Sequence, residues 1–246
     1  MNYHWDWGVF TQTTITGVDY YFQWVLSGLA LTVGIGLAAW LVALVVGVLL
    51  GVVRTLPLRS ARMAAGAYVE VFRNIPLLVQ LFFWYYIAPL FLPLSVQDVI
   101  NTAHPLLVQS LVAIFCLGLF TSARVCEQVR AGIEAQPAGQ FAAALALGLR
   151  RAQVYRYVTL PMAFRIIIPP LTLEFLNVFK NTAVLLTIGL LELTARSRQI
   201  GEFTGHIFEA FIVATTLYFL VAQIGGRLMD ALERRLAIPG QTGTGH

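Results

Sequence analysis

Charge is the scarcest commodity in this sequence. Asp, Glu, Lys and Arg make up 11% of its 246 residues, under half of the roughly 25% typical of soluble domains. Of sixteen basic residues, fifteen are Arg and one is Lys180. The net charge of +4 is small and scattered, so no nucleic-acid partner is expected. Cysteine is nearly absent. Cys116 and Cys126, ten residues apart in one apolar segment, would sit about 15 Å apart on a helix, beyond disulfide reach. The four histidines, His4, His104, His206 and His246, are dispersed and form no cluster at metal spacing. No GxxxxGK[ST] phosphate loop, HExxH or GxSxG occurs. No catalytic residue, metal or cofactor is therefore expected in this chain; any ATP and Mg would be bound by another. No Lys or Arg precedes Arg54, unlike the positively charged start of a cleaved signal peptide, so the first apolar stretch is expected to persist in the mature protein.

Apolar sequence takes the place of charge: 58% of residues are hydrophobic and the mean hydropathy is +0.76. No residue from Tyr20 to Val53 is charged, more than the ~20 residues needed to cross a bilayer. This predicts a first span near Trp24–Val53, with Gly47 and Gly51 at the spacing that permits close helix contact. Further spans are expected at about Ala64–Phe91, Pro105–Gly132, Ile166–Leu191 and Ile207–Leu228. Residues 134–165 are too rich in arginine to span. Arg54, Arg59 and Arg62, then Arg150, Arg151, Arg156 and Arg165, then Arg227, Arg234 and Arg235 mark cytoplasmic segments by the positive-inside rule. Five spans with the N-terminus outside and the C-terminus inside satisfy all of these. Arg196 and Arg198 are the exception, softened by Glu192 and Glu202. The aromatic run Phe82–Tyr86, with Trp5, Trp7 and Trp24, reads as a membrane-interface belt. The Gly/Thr-rich end, Pro239–His246, reads as disordered.

The stretch from Gln136 to Pro170 decides the reading. Pro137 suits a helix start, Phe141–Leu147 forms a short helix with a small-residue face, and Gly148 breaks it. Arg150–Tyr157 supplies a second helical piece that Pro161 is expected to end. Gly148, nine residues, Val158, Thr159, Leu160 and Pro161 resemble the second half of the cytoplasmic "EAA" loop of importer permeases in the ATP-binding-cassette superfamily. Ala143 and Ala144 hold its two alanine positions, and Ala142 stands where the Glu should be. Three other stretches resemble the polar-amino-acid branch of that family: Tyr68-Val-Glu-Val-Phe-Arg-Asn-Ile-Pro-Leu-Leu-Val-Gln80, Cys126-Glu-Gln-Val-Arg-Ala-Gly-Ile133, and Phe179-Lys-Asn-Thr-Ala183 leading to Ile188-Gly189 and Glu192-Leu193. Trp5-Asp-Trp-Gly8 and the run Cys116–Arg130 look most like the glutamate/aspartate permeases of that branch.

The resemblance implies an all-α type I permease with five transmembrane helices and a cytoplasmic coupling loop. Residues 1–23 would be a periplasmic segment, 24–230 the permease domain and 231–246 a cytoplasmic tail. It also implies a bacterial inner-membrane location and a second homologous permease, a different chain or a second copy. Two ATP-binding subunits and a periplasmic solute-binding protein would complete the assembly. Phe141, Ala142, Ala143, Ala144, Gly148, Leu160 and Pro161 would form the ATPase-coupling loop.

Charges within spans usually face a bundle interior or an aqueous path. Arg124, Glu127 and Arg130 recur every three residues, as do Glu174, Asn177 and Lys180, so each set shares one broad helical face. In one reading these, with Asn181, Arg73 and Asn74, line the path of an amino acid: Glu127 or Glu174 for its ammonium, Lys180, Arg124 or Arg73 for carboxylates. In the other, Glu70 pairs with Arg73 and Glu127 with Arg130 to fix packing. Arg124 holds a position that is aromatic in many relatives carrying the Glu-x-x-Arg-x-Gly-Ile pattern. It would either favour a cargo with a second carboxylate or neutralise Glu127. A gradient-driven transporter would require an internal repeat or helices broken at midplane. Pro169-Pro170 is the nearest feature, and it lies at a span's beginning. A membrane enzyme would need one of the absent motifs.

Overall fold

The structure, a computed structural model, describes residues 3–236. Among them no strand forms; a lone antiparallel bridge joins Thr13 to Tyr20. The α-helices are α1 (Tyr21–Val53), α2 (Arg59–Asn74), α3 (Leu77–Phe82), α4 (Leu94–Thr102), α5 (Pro105–Glu134), α6 (Ala138–Ala146), α7 (Arg151–Val154), α8 (Leu160–Asn181), α9 (Leu193–Thr204) and α10 (Ile207–Leu236). Tyr21–Val53, Pro105–Glu134, Arg151–Ile188 and Ile207–Leu236 are each long and apolar enough to cross a membrane. A fifth span exists only as a bent pair, Arg59–Asn74 with Leu77–Phe91.

That pair corrects the expectation of one continuous second span. Pro76 lacks an N–H and disfavours helical backbone at the residue before it, so α2 stops at Asn74 and α3 starts afresh at Leu77. The Gln80 side chain turns back to donate to the Ile75 carbonyl at 2.8 Å, satisfying the broken ladder. The reverse correction applies at Pro161, which ends nothing. Tyr155–Thr159 is a wide π turn, and α8 runs on through Pro161, Pro169 and Pro170. The helix is continuous from Arg151, and the wider π turn just before Pro161 accommodates its missing N–H. Helix α10 extends to Leu236, past the expected start of the tail; Pro239–His246 lies outside the described residues.

The chain forms two compact units. One comprises Met1–Leu41, Ile75–Gly118 and Asn177–Gln223. Its core joins Val9, Tyr21, Trp24 and Val25 to Leu193 and Ile200 of α9 and Ala210 and Ala214 of α10. The N-terminal segment is fastened here: the Tyr3 hydroxyl and the Asp6 N–H both donate to the buried Glu209 carboxylate. The other unit comprises Val42–Asn74, Leu119–Leu176 and Ile224–His246. Val69, Ala123 and Cys126 form its core with Leu50, Tyr68 and Phe72. Here α1 meets α5 at glycine distance: a Cβ on Gly47 would lie 2.6 Å from Val125 Cβ, and one on Gly51 2.7 Å from Val129 Cβ. The expected close-contact role of this pair is what the structure contains, with α5 as the partner. Both cysteines are buried and free.

Candidate functional site

The loop between α5 and α8 is built as a braced element within its unit. Pro137 precedes α6, and Gly148 adopts φ +85°, a left-handed conformation that stops the helix as expected. The loop's base is closed by Gln136 Nε2 donating to the Thr159 carbonyl at 2.9 Å. Phe141 packs edge-on to Tyr155, centroids 5.9 Å apart. The Tyr155 hydroxyl reaches Thr55 Oγ1 at 3.1 Å, just past α1. Ala144 is buried against this frame, whereas Ala142 and Ala143 are exposed and Leu147 is 84% exposed. A hollow of about 310 Å³ lies beside them, lined by Pro137, Phe141 and Tyr155 among others. Leu160 is half-buried and Pro161 exposed where the loop rejoins α8. The helix thus shows solvent a small, uncharged, apolar surface on a rigid mount.

The charged residues of the same unit separate into two groups. Glu127 on α5 is clamped: Arg54 donates to one carboxylate oxygen, Arg130 pairs with the other at 2.9 Å, and Arg73 stands 3.8 Å away. Arg130 also pairs with Glu134 at 2.6 Å. The Glu127–Arg130 pair is as anticipated. The Glu70–Arg73 pair is not made; Arg73, half exposed at the end of α2, turns toward Glu127, while Glu70 and Asn74 are exposed. The second group is Arg124 and Glu174, whose Nη1 and Oε2 are 3.5 Å apart. The Arg124 guanidinium lies over the Phe120 ring, 4.6 Å from its centroid. Arg124 therefore does not neutralise Glu127, one of the two roles its spacing allowed.

In the other unit, Asn177, Lys180 and Asn181 occupy the last turn of α8. Asn177 and Asn181 are half-buried and Lys180 is exposed; among the described residues none of the three side chains has a hydrogen bond or ion pair. Sequence spacing missed one of the two fully buried carboxylates of this unit. Glu192, fully buried, caps α9 by accepting from the Thr194 and Ala195 N–H groups at 2.9 and 2.8 Å. It also accepts from the Tyr218 hydroxyl at 2.8 Å. Burial holds its carboxyl above the ordinary carboxylate range, against the downward pull of those donors. It does not serve Arg196, which stacks on Trp24 at 4.8 Å and donates to Gln199. Only Arg198 finds its expected acid, Glu202, at 2.7 Å. Glu is not among the preferred cap residues, so little in the sequence announced the role.

Helices long and apolar enough to cross a membrane, carrying polar groups that have no partner among the described residues, with a braced helix presented to solvent, are the features of a membrane-embedded protein. Residues 43–238 match the family described as the inner membrane component of binding-protein-dependent transport systems, and the chain belongs to that family. It is 41% identical over 244 residues to the glutamate/aspartate import permease protein GltJ of Escherichia coli (strain K12), covering 99% of each chain. It is 32% identical over 214 residues to the glutamate/aspartate import permease protein GltK of Escherichia coli O6:H1, covering 87% of this chain and 94% of that one. A solved structure described as an amino acid ABC transporter with histidines is 30% identical with a TM-score of 0.73, covering 87% and 95% of the two chains. An inward-facing MetNI methionine ABC transporter, 20% identical with a TM-score of 0.69, shares the fold. The chain is thus the permease subunit of an ATP-binding-cassette importer of the inner membrane, in a family whose ATPase is a separate subunit.

Proposed function

We propose that this permease imports amino acids, and acidic ones, glutamate or aspartate, in particular. The observation that carries the reading is Arg124: a guanidinium within a span, lightly paired and oriented by Phe120, where a second cargo carboxylate would find a forked donor. Full-length similarity to a glutamate/aspartate import permease supports it. In the other unit, Asn177, Lys180 and Asn181, whose side chains have no hydrogen bond or ion pair among the described residues, are candidates for the solute path on the sequence pattern alone. Glu127, held by arginines, serves packing in this reading.

The chain works with a second, homologous permease, two ATP-binding subunits and a periplasmic binding protein, its N-terminus outside and its C-terminus inside. ATP and Mg belong to the ATP-binding subunits. ATP-driven closure of those subunits moves α6, and the braces at Gln136, Phe141 and Tyr155 pass that motion into α1 and α8, opening the pore outward; hydrolysis reverses it. The test is uptake of labelled glutamate and glutamine by the complete transporter in proteoliposomes, wild type against Arg124→Tyr. The expected result is a collapse of the glutamate preference. An unchanged preference overturns the assignment of Arg124.

A further inference from the structure

Two carboxylates of one unit are held by arginine in contrasting ways. Glu127 is locked by two close guanidiniums with a third nearby. Among the described residues Glu174 has a single polar contact, 3.5 Å from Arg124 Nη1, at the outer limit of a hydrogen bond. A guanidinium carries five N–H donors. Among the described residues that of Arg124 has one of them engaged, weakly, although it lies over the Phe120 ring and its side chain is 36% exposed. A carboxylate bound by the guanidinium fork would sit at about 2.7–2.9 Å through two bonds. The resident pair is much looser than the pair Arg124 is able to form.

We infer that Glu174 is a resident counter-carboxylate: it neutralises Arg124 while the permease is empty and gives it up to the side-chain carboxylate of an acidic cargo. This rests on the reading that the cargo is acidic and meets Arg124. A lone guanidinium inside a span is costly, so an empty permease needs an internal partner. A tight partner would close the site; a loose one can be displaced. Displacement requires a stronger acceptor than Glu174 provides, and a carboxylate able to fork is one while a neutral amide is not. Glu174 therefore sets the threshold that separates glutamate from glutamine. By reclaiming Arg124 it also speeds release of the cargo.

The test is equilibrium binding of labelled glutamate and glutamine to the complete, purified transporter without ATP, followed by import at saturating substrate. Glu174→Gln removes the competitor. Glutamate should bind about fivefold tighter, the scale of one partly exposed ion pair, with glutamine binding unchanged and maximal glutamate import slower. Glu174→Asp, which withdraws the carboxylate by one methylene, should tighten binding by a smaller factor. Glutamate binding that is unchanged or weaker in an intact Glu174→Gln complex overturns the inference. So does failure of both variants to assemble, which would mark a packing pair. Wild-type transporter that binds no acidic amino acid would instead refute the cargo reading. Wild type that binds glutamate and loses its preference in Arg124→Tyr, but is untouched by Glu174→Gln, refutes this inference alone.

Discussion

Replacing Glu127 by Gln separates the two roles that its sequence position allowed. The carboxylate is 21% exposed and faces Arg54, itself 18% exposed, and Arg130, 32% exposed. Neutralising it leaves guanidiniums crowded together with no counter-charge. Breaking a fully buried pair costs about 3–5 kcal/mol, and an exposed pair about 0–1 kcal/mol. With two strong partners and partial burial, Glu127 falls between these, and the expected loss is about 2–3 kcal/mol. Glu134→Gln is the internal control: it removes one contact of the same Arg130, but from a 53% exposed carboxylate, and should cost no more than about 0.5 kcal/mol. Thermal and denaturant unfolding of the purified complex in detergent measures both. If Glu127→Gln destabilises no more than Glu134→Gln, the clamp is not a packing device. If it abolishes amino-acid binding at unchanged stability, Glu127 belongs to the solute path.

Three further outcomes follow from the geometry. Gly51→Leu should destabilise by about 1–3 kcal/mol or more through overpacking, because a Cβ there already meets Val129 at 2.7 Å and the Cys126 carbonyl at 2.9 Å; a melting temperature equal to wild type would show that α1 and α5 do not meet this closely. At Gly148 a Cβ meets nothing within 4 Å, so Gly148→Ala should cost only the left-handed backbone penalty of about 1–2 kcal/mol, whereas Gly148→Trp should uncouple ATP hydrolysis from import; normal import by Gly148→Trp removes the lever role. Glu192→Ala deletes the α9 cap, a loss of about 1–2 kcal/mol, and should speed amide hydrogen exchange at Thr194 and Ala195; unchanged exchange there would deny the cap.

The fold was legible wherever lipid imposes a single periodicity-free rule. A charge-free run of more than 30 residues has to be a span, and α1 starts at Tyr21, within three residues of the expected Trp24. The same rule is blind to backbone breaks. Hydropathy rises across Ile75-Pro76, from Glu70, Arg73 and Asn74 to an uncharged run, but it says nothing of the backbone, and the missing N–H of Pro76 divides the second span. The opposite misjudgement at Pro161 has the same physical root. Whether a proline stops a helix depends on whether its turn needs the donor, and the π turn at Tyr155–Thr159 is not written in apolar spacing. The short helix before Gly148 was readable because small residues, Pro137 and a glycine at a left-handed position each act locally.

The ion pairs show where spacing stops and packing begins. Helical arithmetic finds partners three or four residues away, and it found Arg130 for Glu127. Arg54, 73 residues distant in sequence, was read only as a mark of the cytoplasmic side. Yet a clue was present. Gly47, Gly51 and Arg54 are spaced four and three residues apart, so they share one helical face. The two glycines seat on Val125 and Val129, which sets α1 and α5 running in the same direction with a fixed offset. Arg54 continues the helical hydrogen bonding, its N–H bonded to the Leu50 carbonyl at 3.0 Å. Helical side chains lean toward the helix N-terminus, so the guanidinium is directed back along α5 from the level of Gly132 toward Glu127. The glycine pair that reads as a packing motif is therefore also what aims Arg54. Substituting either glycine should loosen the Glu127 clamp along with the helix contact, and the two effects should appear together in a double-mutant cycle of Gly51→Leu with Glu127→Gln, with a coupling larger than the ~0.5 kcal/mol scatter of independent sites. Strict additivity would mean that the close approach and the ion pair are separate features.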